Sequence, residues 1–429
     1  MTEAIDYRPM WNELGLDLEK HDALLGVLGQ VYTDIYLSQK NRPDGMSYFD
    51  FVMSEVHGLR IKELVDAKAA GKIVVGSFCV FVPEELVLAA NGVNVGLCAG
   101  ADFGTEHAER YLPRNTCALI KSFFGFSLEK VCPYLESCDL VVGENTCDGK
   151  KKSYEIFRDI IKGEFIALDM PNTKSSEGRE VLKRAYLDLV ASLERVSGKA
   201  ITVDSLKAGI DTVNKKRTAM HRLAKLRRAN PAPISGLDAL LANQVFFYDD
   251  PERFTDSVNK LCDEIEQRIE KKAGIVPATT PRIVISGCPM AVPNWKLPSI
   301  IESAGAIVVG EESCIGERGT QNLVSAEGAS VDELIDNLVD RYLTIDCAVF
   351  TPNRTRAEHA LQIAKDAKAD GVIHYALQFC APYQIEAPLL ERSMEESGLP
   401  VLRIDTDYSQ EDVEQLRTRV EAFIEQIRR

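Results

Sequence analysis

The sequence contains no Cys-x-x-Cys pair, although it has 11 cysteines among its 429 residues. That absence disfavours zinc ribbons, thioredoxin-like redox motifs and the clustered cysteines of bacterial ferredoxins. A phosphate-binding Gly-x-x-x-x-Gly-Lys-Ser/Thr loop is also missing, so nucleotide hydrolysis is not expected of this chain. There is no apolar run of about eighteen residues or more, and the acidic start MTEAIDYRPMWNELG does not resemble a secretory signal. We therefore expect a cytoplasmic protein without a membrane-spanning segment.

Basic residues are in short supply: 50 Lys and Arg stand against 65 Asp and Glu, for a net charge of −15. Nucleic acids and anionic membranes are bound by clustered basic residues, so neither is an expected partner. At roughly 150 residues per domain, the length allows two or three domains. In a reducing compartment the cysteines are not expected to form structural disulfides. They remain as core residues, reactive thiols or metal ligands.

Hydrophobic periodicity divides the chain into four parts. Residues 1–71 show apolar residues at helical spacing, and so does the connecting segment 175–281. Between and after them, 72–174 and 282–429 alternate short apolar strands with helices. Strand–helix–strand units imply parallel sheets. The sequence therefore predicts an α/β protein with two Rossmann-like lobes, joined by helical segments and preceded by a helical N-terminal region.

The first strand–helix–strand unit illustrates the pattern. KIVVGSF predicts a strand, PEELVLAANG a helix, and VNVGL a second strand. Pro83 suits the first turn of the helix, and Gly92 suits its C-terminal cap.

Seven cysteines fall where open parallel sheets bind ligands, beyond the carboxyl ends of the strands. Five follow predicted strands, and two precede predicted helical segments at matching places in the two lobes. After strands come Cys79, Cys147, Cys288, Cys314 and Cys380, and before helical segments come Cys117 and Cys347. Soft thiolates select iron–sulfur clusters, zinc or copper(I). Six or seven converging thiols exceed what one zinc ion or one cubane needs, which favours a larger cluster.

The remaining cysteines are expected to pack, because a lone cysteine is usually a small buried apolar residue. Cys262 lies on the apolar stripe of a predicted helix, Cys98 ends a strand, and Cys132 and Cys138 flank a short helix. The lysine run 150–152 is expected to be a solvated helix start. The alternative is that it neutralises an anionic cluster or binds an anionic ligand.

The segments VVGENTCDGKKKSYE, LPRNTCALIKSFFGF and LQFCAPYQIEAPLLE resemble the 2-hydroxyacyl-CoA dehydratase and benzoyl-CoA reductase superfamily. The resemblance covers about 72–170 and 282 to the end, and it is strongest to the double-cubane-cluster-containing anaerobic reductases. Dehydratase subunits hold a 4Fe-4S cluster, and the matching cysteines are Cys117, Cys147 and Cys380. The double-cubane branch holds an 8Fe-9S cluster on six cysteines, which adds Cys288, Cys314 and Cys347 here. Cys79 is the alternative to Cys288.

The resemblance implies an iron–sulfur reductase that acts on a small substrate. Its electrons, at low potential, would come from a separate ATP-hydrolysing iron–sulfur activator, and the protein would be a homodimer. One alternative is a 2-hydroxyacyl-CoA dehydratase subunit with a single 4Fe-4S cluster. A second alternative is a two-lobed small-molecule binding protein whose cysteines only pack. The substrate and the proton donor stay open.

Overall fold

A helical N-terminal region precedes the sheets. The computed structural model describes residues 5–428. Its first helices bury apolar side chains such as Trp11 and Phe49. Their bounds are Arg8–Leu14 (α1), Leu18–Tyr32 (α2, continued by a π-helical turn at Thr33–Leu37), Met46–Ser54 (α3) and Leu59–Ala69 (α4). The predicted helical region at the N-terminus is thus confirmed.

The first sheet has four parallel strands: Ile73–Ser77 (β1), Gly92–Gly96 (β2), Leu140–Glu144 (β3) and Glu164–Leu168 (β4). Their order across the sheet is β2-β1-β3-β4. Every residue of β1 and β3 is buried, which explains why these strands are continuous apolar runs in the sequence. The helices of this lobe are Glu84–Ala89 (α5), Thr105–Ala108 (α6), Ala118–Leu128 (α7), Pro133–Ser137 (α8) and Asp148–Phe157 (α9).

The predicted C-terminal cap of α5 was wrong. The helix ends at Ala89, and Gly92 is already the first residue of β2. Asn91 makes the left-handed turn instead, with φ of 59°. Asparagine tolerates this conformation better than most residues, so no glycine is needed there. Pro83 occupies the N-cap of the helix, one position before the first turn in which it was predicted.

Four helices connect the two lobes: Ser176–Ser197 (α10), Val203–Leu226 (α11), Gly236–Val245 (α12) and Pro251–Glu270 (α13). Each starts with a side-chain oxygen that accepts an N–H bond from the first turn, on Ser175, Thr202, Ser235 and Asp250. Several of them are long, yet no helix between residues 5 and 428 combines the length and the apolar character needed to cross a bilayer.

The second sheet is also four-stranded and parallel, with strands Arg282–Gly287 (β5), Ile307–Glu312 (β6), Gly371–Leu377 (β7) and Val401–Thr406 (β8). Its helices are Lys296–Ser303 (α14), Glu317–Thr320 (α15), Val331–Tyr342 (α16), Arg354–Asp366 (α17), Ala381–Glu395 (α18) and Val413–Ile427 (α19). The strand order β6-β5-β7-β8 repeats that of the first sheet. The predicted α/β fold with two parallel sheets is confirmed.

The two lobes contact each other directly near their strand ends. The Gly100 N–H donates to the carbonyl oxygen of Val292 at 2.9 Å, and the Ala118 N–H donates to that of Gln378 at 3.4 Å. Gly100 has no room for a side chain, because a Cβ there would lie 2.2 Å from the carbonyl oxygen of Ala291. These backbone contacts bring the carboxyl ends of strands from both lobes to one cleft.

A histidine pair ties α2 to the segment before α4. His21 Nε2 and His57 Nδ1 are 2.9 Å apart, and the Trp11 ring lies edge-on to His21 with centroids 4.4 Å apart. Burial lowers the pKa of His21 to about 4, despite the carboxylate of Asp22, and lowers that of His57 to about 3. Free histidine titrates near pH 6.5, so the unfolded chain takes up protons that the folded chain refuses. The contribution to stability is complete above about pH 6.5 and falls as the pH drops towards 4.

We expect the urea midpoint of unfolding, followed by tryptophan fluorescence, to decrease between about pH 6.5 and about pH 5. The variant His57→Asn removes one titrating ring and should show a smaller decrease over the same interval. An equal decrease in the variant would assign the pH dependence to other groups.

Candidate functional site

Each lobe places four cysteines at matching points of its topology. In each lobe, one follows the first strand, one follows the second, one lies before the third, and one starts the helix after the third. The matching pairs are Cys79 with Cys288, Cys98 with Cys314, Cys117 with Cys347, and Cys147 with Cys380. The carboxyl ends of parallel strands share one edge of a sheet, which places these cysteines towards the cleft.

Three of these cysteines occupy the N-cap position of a helix: Cys117 before α7, Cys147 before α9 and Cys380 before α18. The first N–H groups of a helix have no partner within it and point towards the N-cap. The Leu119 N–H faces the sulfur of Cys117, and the Lys150 N–H faces that of Cys147. Such N–H groups favour the thiolate form that binds metals.

Cys117, Cys147, Cys288 and Cys380, here called the first thiol group, come from both lobes. The thiols of Cys117 and Cys288 are each within hydrogen-bond reach of Cys380, and Cys147 lies near Cys117. Contact with Cys380, together with burial, raises the pKa of Cys117 well above that of a free thiol. Cys288 is buried and its Sγ accepts the Leu377 N–H at 3.4 Å, whereas the other three are partly exposed.

Cys79, Cys314 and Cys347 form the second thiol group, which also draws on both lobes. The thiols of Cys79 and Cys314 lie close to each other. The neighbouring Cys79 thiol and the guanidinium of Arg318 lower the pKa of Cys314 to about 6. Burial raises the pKa of the neighbouring Cys347 to about 11. The group is more enclosed than the first, since Cys314 and Cys347 are both buried.

Buried charges surround the second thiol group. Arg318 contacts the Cys314 thiol and pairs with Glu312 at 2.8 Å. Arg356 pairs with the same carboxylate at 3.2 Å. Both guanidinium groups lie over the ring of Tyr383, at 5.3 and 4.9 Å from its centroid. Fixed positive charge beside thiolates compensates an anionic group bound there.

Lys150 is a further buried cation, and its interpretation as a solvated residue was wrong. Only 9% of the side chain is exposed, because α9 turns it towards the end of β3. Its ammonium contacts the carboxylate of Glu144, which is fully buried. The two lysines that follow it are exposed, as predicted. Lys150 lines a cavity together with Cys79 and Cys314, which fits the alternative interpretation of a neutralising cation.

That cavity lies between the lobes beside the second thiol group. It encloses about 550 Å³ of empty space, including its open mouth. Most of its wall is apolar, with Phe78, Leu119, Phe247 and Val292 among the residues that line it. Cys98, which the sequence assigned to packing, lines it as well, and its Sγ donates to the Phe78 carbonyl oxygen at 2.7 Å. Cys98 follows β2 just as Cys314 follows β6, and this equivalence in the sequence could have identified Cys98 as a residue of the cleft.

The thiols fit a metal group wider than a single ion. Across residues 5–428, no three His, Cys, Asp or Glu side chains converge closely enough to hold one metal ion. A structural zinc ion needs four ligands around one point, with sulfur at about 2.3 Å. The thiols instead spread along a cleft in two groups, and thiolates are the usual ligands of iron–sulfur clusters. A multi-iron group, which offers a separate iron to each sulfur, suits this arrangement.

The other cysteines pack as predicted. Cys262 is fully buried on α13 among apolar side chains, and Cys138 is buried in the core of the first lobe. Cys132 is partly buried against the same core.

Fold and site define a two-lobed α/β protein that presents cysteines from both lobes to a shared cleft. The chain belongs to the family described as 2-hydroxyglutaryl-CoA dehydratase, D-component, whose profile matches residues 79–427. The matched span contains all eight cysteines that occupy matching positions in the lobes. The superfamily indicated by the sequence motifs is confirmed.

Named relatives cover most of this chain. It is 36% identical over 377 residues to "Putative dehydratase subunit YjiM" of Escherichia coli, which covers 87% of this chain and 96% of the relative. It is 28% identical over 358 residues to the (R)-phenyllactyl-CoA dehydratase beta subunit of Clostridium sporogenes, covering 83% and 92%. It is 22% identical over 360 residues to a benzoyl-CoA reductase subunit of Thauera aromatica, covering 83% and 91%. Similarity thus extends across both lobes and to dehydratase and reductase subunits alike.

Proposed function

We propose that this protein is an iron–sulfur reductase that holds a double-cubane 8Fe-9S cluster in the cleft between its lobes. The observation that carries the proposal is the pair of thiol groups, each built from both lobes. An ordinary cubane takes about four thiolates, whereas the two groups together offer seven cysteines. Membership of a family of dehydratase and reductase subunits supports an enzymatic role.

The proposed ligands are three cysteines for each cubane: Cys117, Cys147 and Cys380 for one, and Cys79, Cys314 and Cys347 for the other. The sequence favoured Cys288 over Cys79 as the sixth ligand. Contact between Cys79 and Cys314 supports Cys79, because it completes a second set of three. Cys288 lies beside Cys380 in a group where Cys117, Cys147 and Cys380 already form a set of three, so the proposal assigns it a packing role.

When bound, such a cluster supplies electrons at low potential. The residues around the cluster site balance its charge and shield it from water. Arg318 and Lys150 balance the negative charge of the thiolates, and the N–H groups at the starts of α7, α9 and α18 support the first thiol group. The apolar wall of the 550 Å³ cavity excludes water and leaves room for a small substrate beside Cys79 and Cys314.

The electron donor in this proposal is a separate ATP-hydrolysing iron–sulfur activator, and the working form is a cytoplasmic homodimer. The relatives are named as subunits, which supports a need for partners. The sequence carries no phosphate-binding loop of its own, in keeping with ATP hydrolysis on another chain.

The second candidate is a 2-hydroxyacyl-CoA dehydratase subunit with one 4Fe-4S cluster. The names of the relatives favour it, since the (R)-phenyllactyl-CoA and (R)-2-hydroxyglutaryl-CoA enzymes are both dehydratases. In that case the first thiol group would hold the cluster, and the second thiol group would stay metal-free.

Metal content separates the candidates. We expect protein purified without oxygen to contain about eight iron atoms and a similar amount of acid-labile sulfide per chain. The measurement is iron and sulfide analysis with quantitative amino-acid analysis of the same sample. About four irons would favour the dehydratase subunit. A chain that binds none, even after anaerobic reconstitution, would contradict both and leave a two-lobed binding protein.

A further inference from the structure

A second cavity lies on the other side of the wall formed by Cys79 and Phe247. It encloses about 460 Å³, including its open mouth, and both residues line the two cavities. Its character differs from that of the first, because two arginines, Arg217 and Arg341, contribute to its lining, together with Asn94 and Glu84. None of these residues has a part in the proposed cluster site.

Arg341 is a buried cation without a carboxylate partner among the described residues. Only 4% of it is exposed. Its Nη2 donates to the carbonyl oxygens of Gly319 at 2.7 Å and Gln321 at 3.0 Å, and its Nε donates to that of Asn322 at 3.3 Å. Its Nη1 makes no hydrogen bond within residues 5–428. Carbonyl dipoles compensate only part of a full positive charge, so the charge of Arg341 is incompletely balanced.

The nearest carboxylates are committed elsewhere. One oxygen of Glu85 accepts from Arg217 at 2.7 Å, and the other accepts from the Tyr342 hydroxyl at 2.8 Å. Glu84 pairs with Lys216 at 2.7 Å. Lys216 therefore has a carboxylate of its own, whereas Glu85 faces both Arg217 and Arg341. One carboxylate between two guanidinium groups leaves one excess positive charge. The nearby His221 adds no charge at neutral pH, because burial lowers its pKa.

Another buried arginine shows what a purely structural role looks like. Arg282 donates from Nε, Nη1 and Nη2 to the carbonyl oxygens of Ala367, Ala229 and Arg228. All three nitrogens are used, and the residue lines neither cavity. Arg341 differs on both points, because Nη1 is unused among the described residues and the side chain borders empty space.

We propose that the second cavity binds a small monoanion of the carboxylate class, held by the free Nη1 of Arg341. A single excess positive charge calls for a monoanion, and the planar guanidinium fork matches a carboxylate. Asn94 lines the same cavity, and its side-chain Nδ2 donates to no acceptor in the described chain. This amide N–H group supplies a second donor for the carboxylate ligand. This site does not depend on the proposed cluster, although Cys79 separates the two.

The test is a titration of the anaerobically purified protein with sodium acetate, followed by thermal unfolding, against sodium chloride at matched ionic strength. We expect acetate to raise the unfolding temperature in a saturable way. Arg341→Gln should weaken acetate binding at least about tenfold, because a charge-assisted bond is lost. The matched control is Arg195→Gln, which removes an exposed arginine paired with Glu164. It should bind acetate like the unchanged protein.

A second variant protects the test if Arg341→Gln does not fold. Asn94→Asp places a carboxylate in the cavity itself, so it should raise the unfolding temperature without acetate and abolish the response to it. The proposal fails if acetate and chloride act alike, or if Arg341→Gln responds as the unchanged protein does. Iron analysis of the same samples distinguishes the cluster proposal from the carboxylate-site proposal. Protein that binds acetate but contains no iron would contradict the cluster and leave the carboxylate site supported.

Discussion

Replacing Cys314 with serine is expected to reduce the iron content of the anaerobically purified protein from about eight to about four atoms per chain or fewer. Cys314 lies at the centre of the second thiol group, in contact with Cys79 and with Arg318. Serine is a poor ligand for iron, so the half of the cluster held by this group should be lost. Iron and sulfide analysis gives the measurement, and the electronic absorption of the remaining cluster gives a second one.

The matched control is Cys262→Ser, because Cys262 is also a buried cysteine but lies on the core side of α13. It should keep the full iron content. The comparison of Cys79→Ser with Cys288→Ser then decides the sixth ligand: we expect iron to be lost from the first and retained by the second. The reverse result would restore Cys288 to the ligand set. Full iron in Cys314→Ser would contradict a cluster on the second thiol group.

Arg227→Met is expected to lower the free energy of unfolding by about 3–5 kcal/mol, because it strands a buried carboxylate. Arg227 and Glu311 are an ion pair with almost no exposure, at 3% and 0% of the side chains. The guanidinium also donates to the Val308 carbonyl oxygen at 2.8 Å, which joins the end of α11 to β6. Urea unfolding of the anaerobic protein, followed by circular dichroism, is the measurement.

A double variant separates the loss of the pair from the loss of packing. Arg227→Met combined with Glu311→Leu removes both charges and should recover a large part of the stability, since two apolar groups replace a buried pair at little cost. Arg195→Met, at an exposed pair, should leave the urea midpoint unchanged. Equal destabilisation in the single and double variants would mean that packing, not charge, decides the effect.

The sheets could be predicted from the sequence because their central strands are buried on both faces. Buried parallel strands are continuous apolar runs, and KIVVGSF and RIVISG correspond to β1 and β5. The boundary of α5 could not be predicted in the same way. A left-handed turn is possible at Asn91 as well as at a glycine, and the sequence does not show which residue takes it.

The location of the thiols was predictable, but their partners were not. A cysteine that follows a strand lies at the carboxyl edge of its own sheet, independently of the orientation of the other lobe. Which cysteines meet across the cleft depends on how the lobes are rotated, and contacts such as the bond from Gly100 to Val292 fix that rotation. The contact between Cys79 and Cys314 is therefore a result of the structure alone.

Buried charges were the least predictable part of the site. Three consecutive lysines suggest a solvated surface, yet only the first of them turns inward to Glu144. Arg341 gives no signal in the sequence, because its lack of an ion-pair partner within residues 5–428 is a property of its surroundings. Charge balance depends on all the neighbours of a residue, and sequence patterns report only those nearby in the chain.

Both thiol groups combine cysteines from the two lobes, and this has a thermodynamic consequence. A ligand held by both lobes would add bonds across the cleft to the backbone contacts that already join the lobes. Its binding free energy would therefore also stabilise the closed arrangement, by the same linkage that couples metal binding to folding. A protease that cuts within the cleft should then act more slowly on the ligand-bound protein.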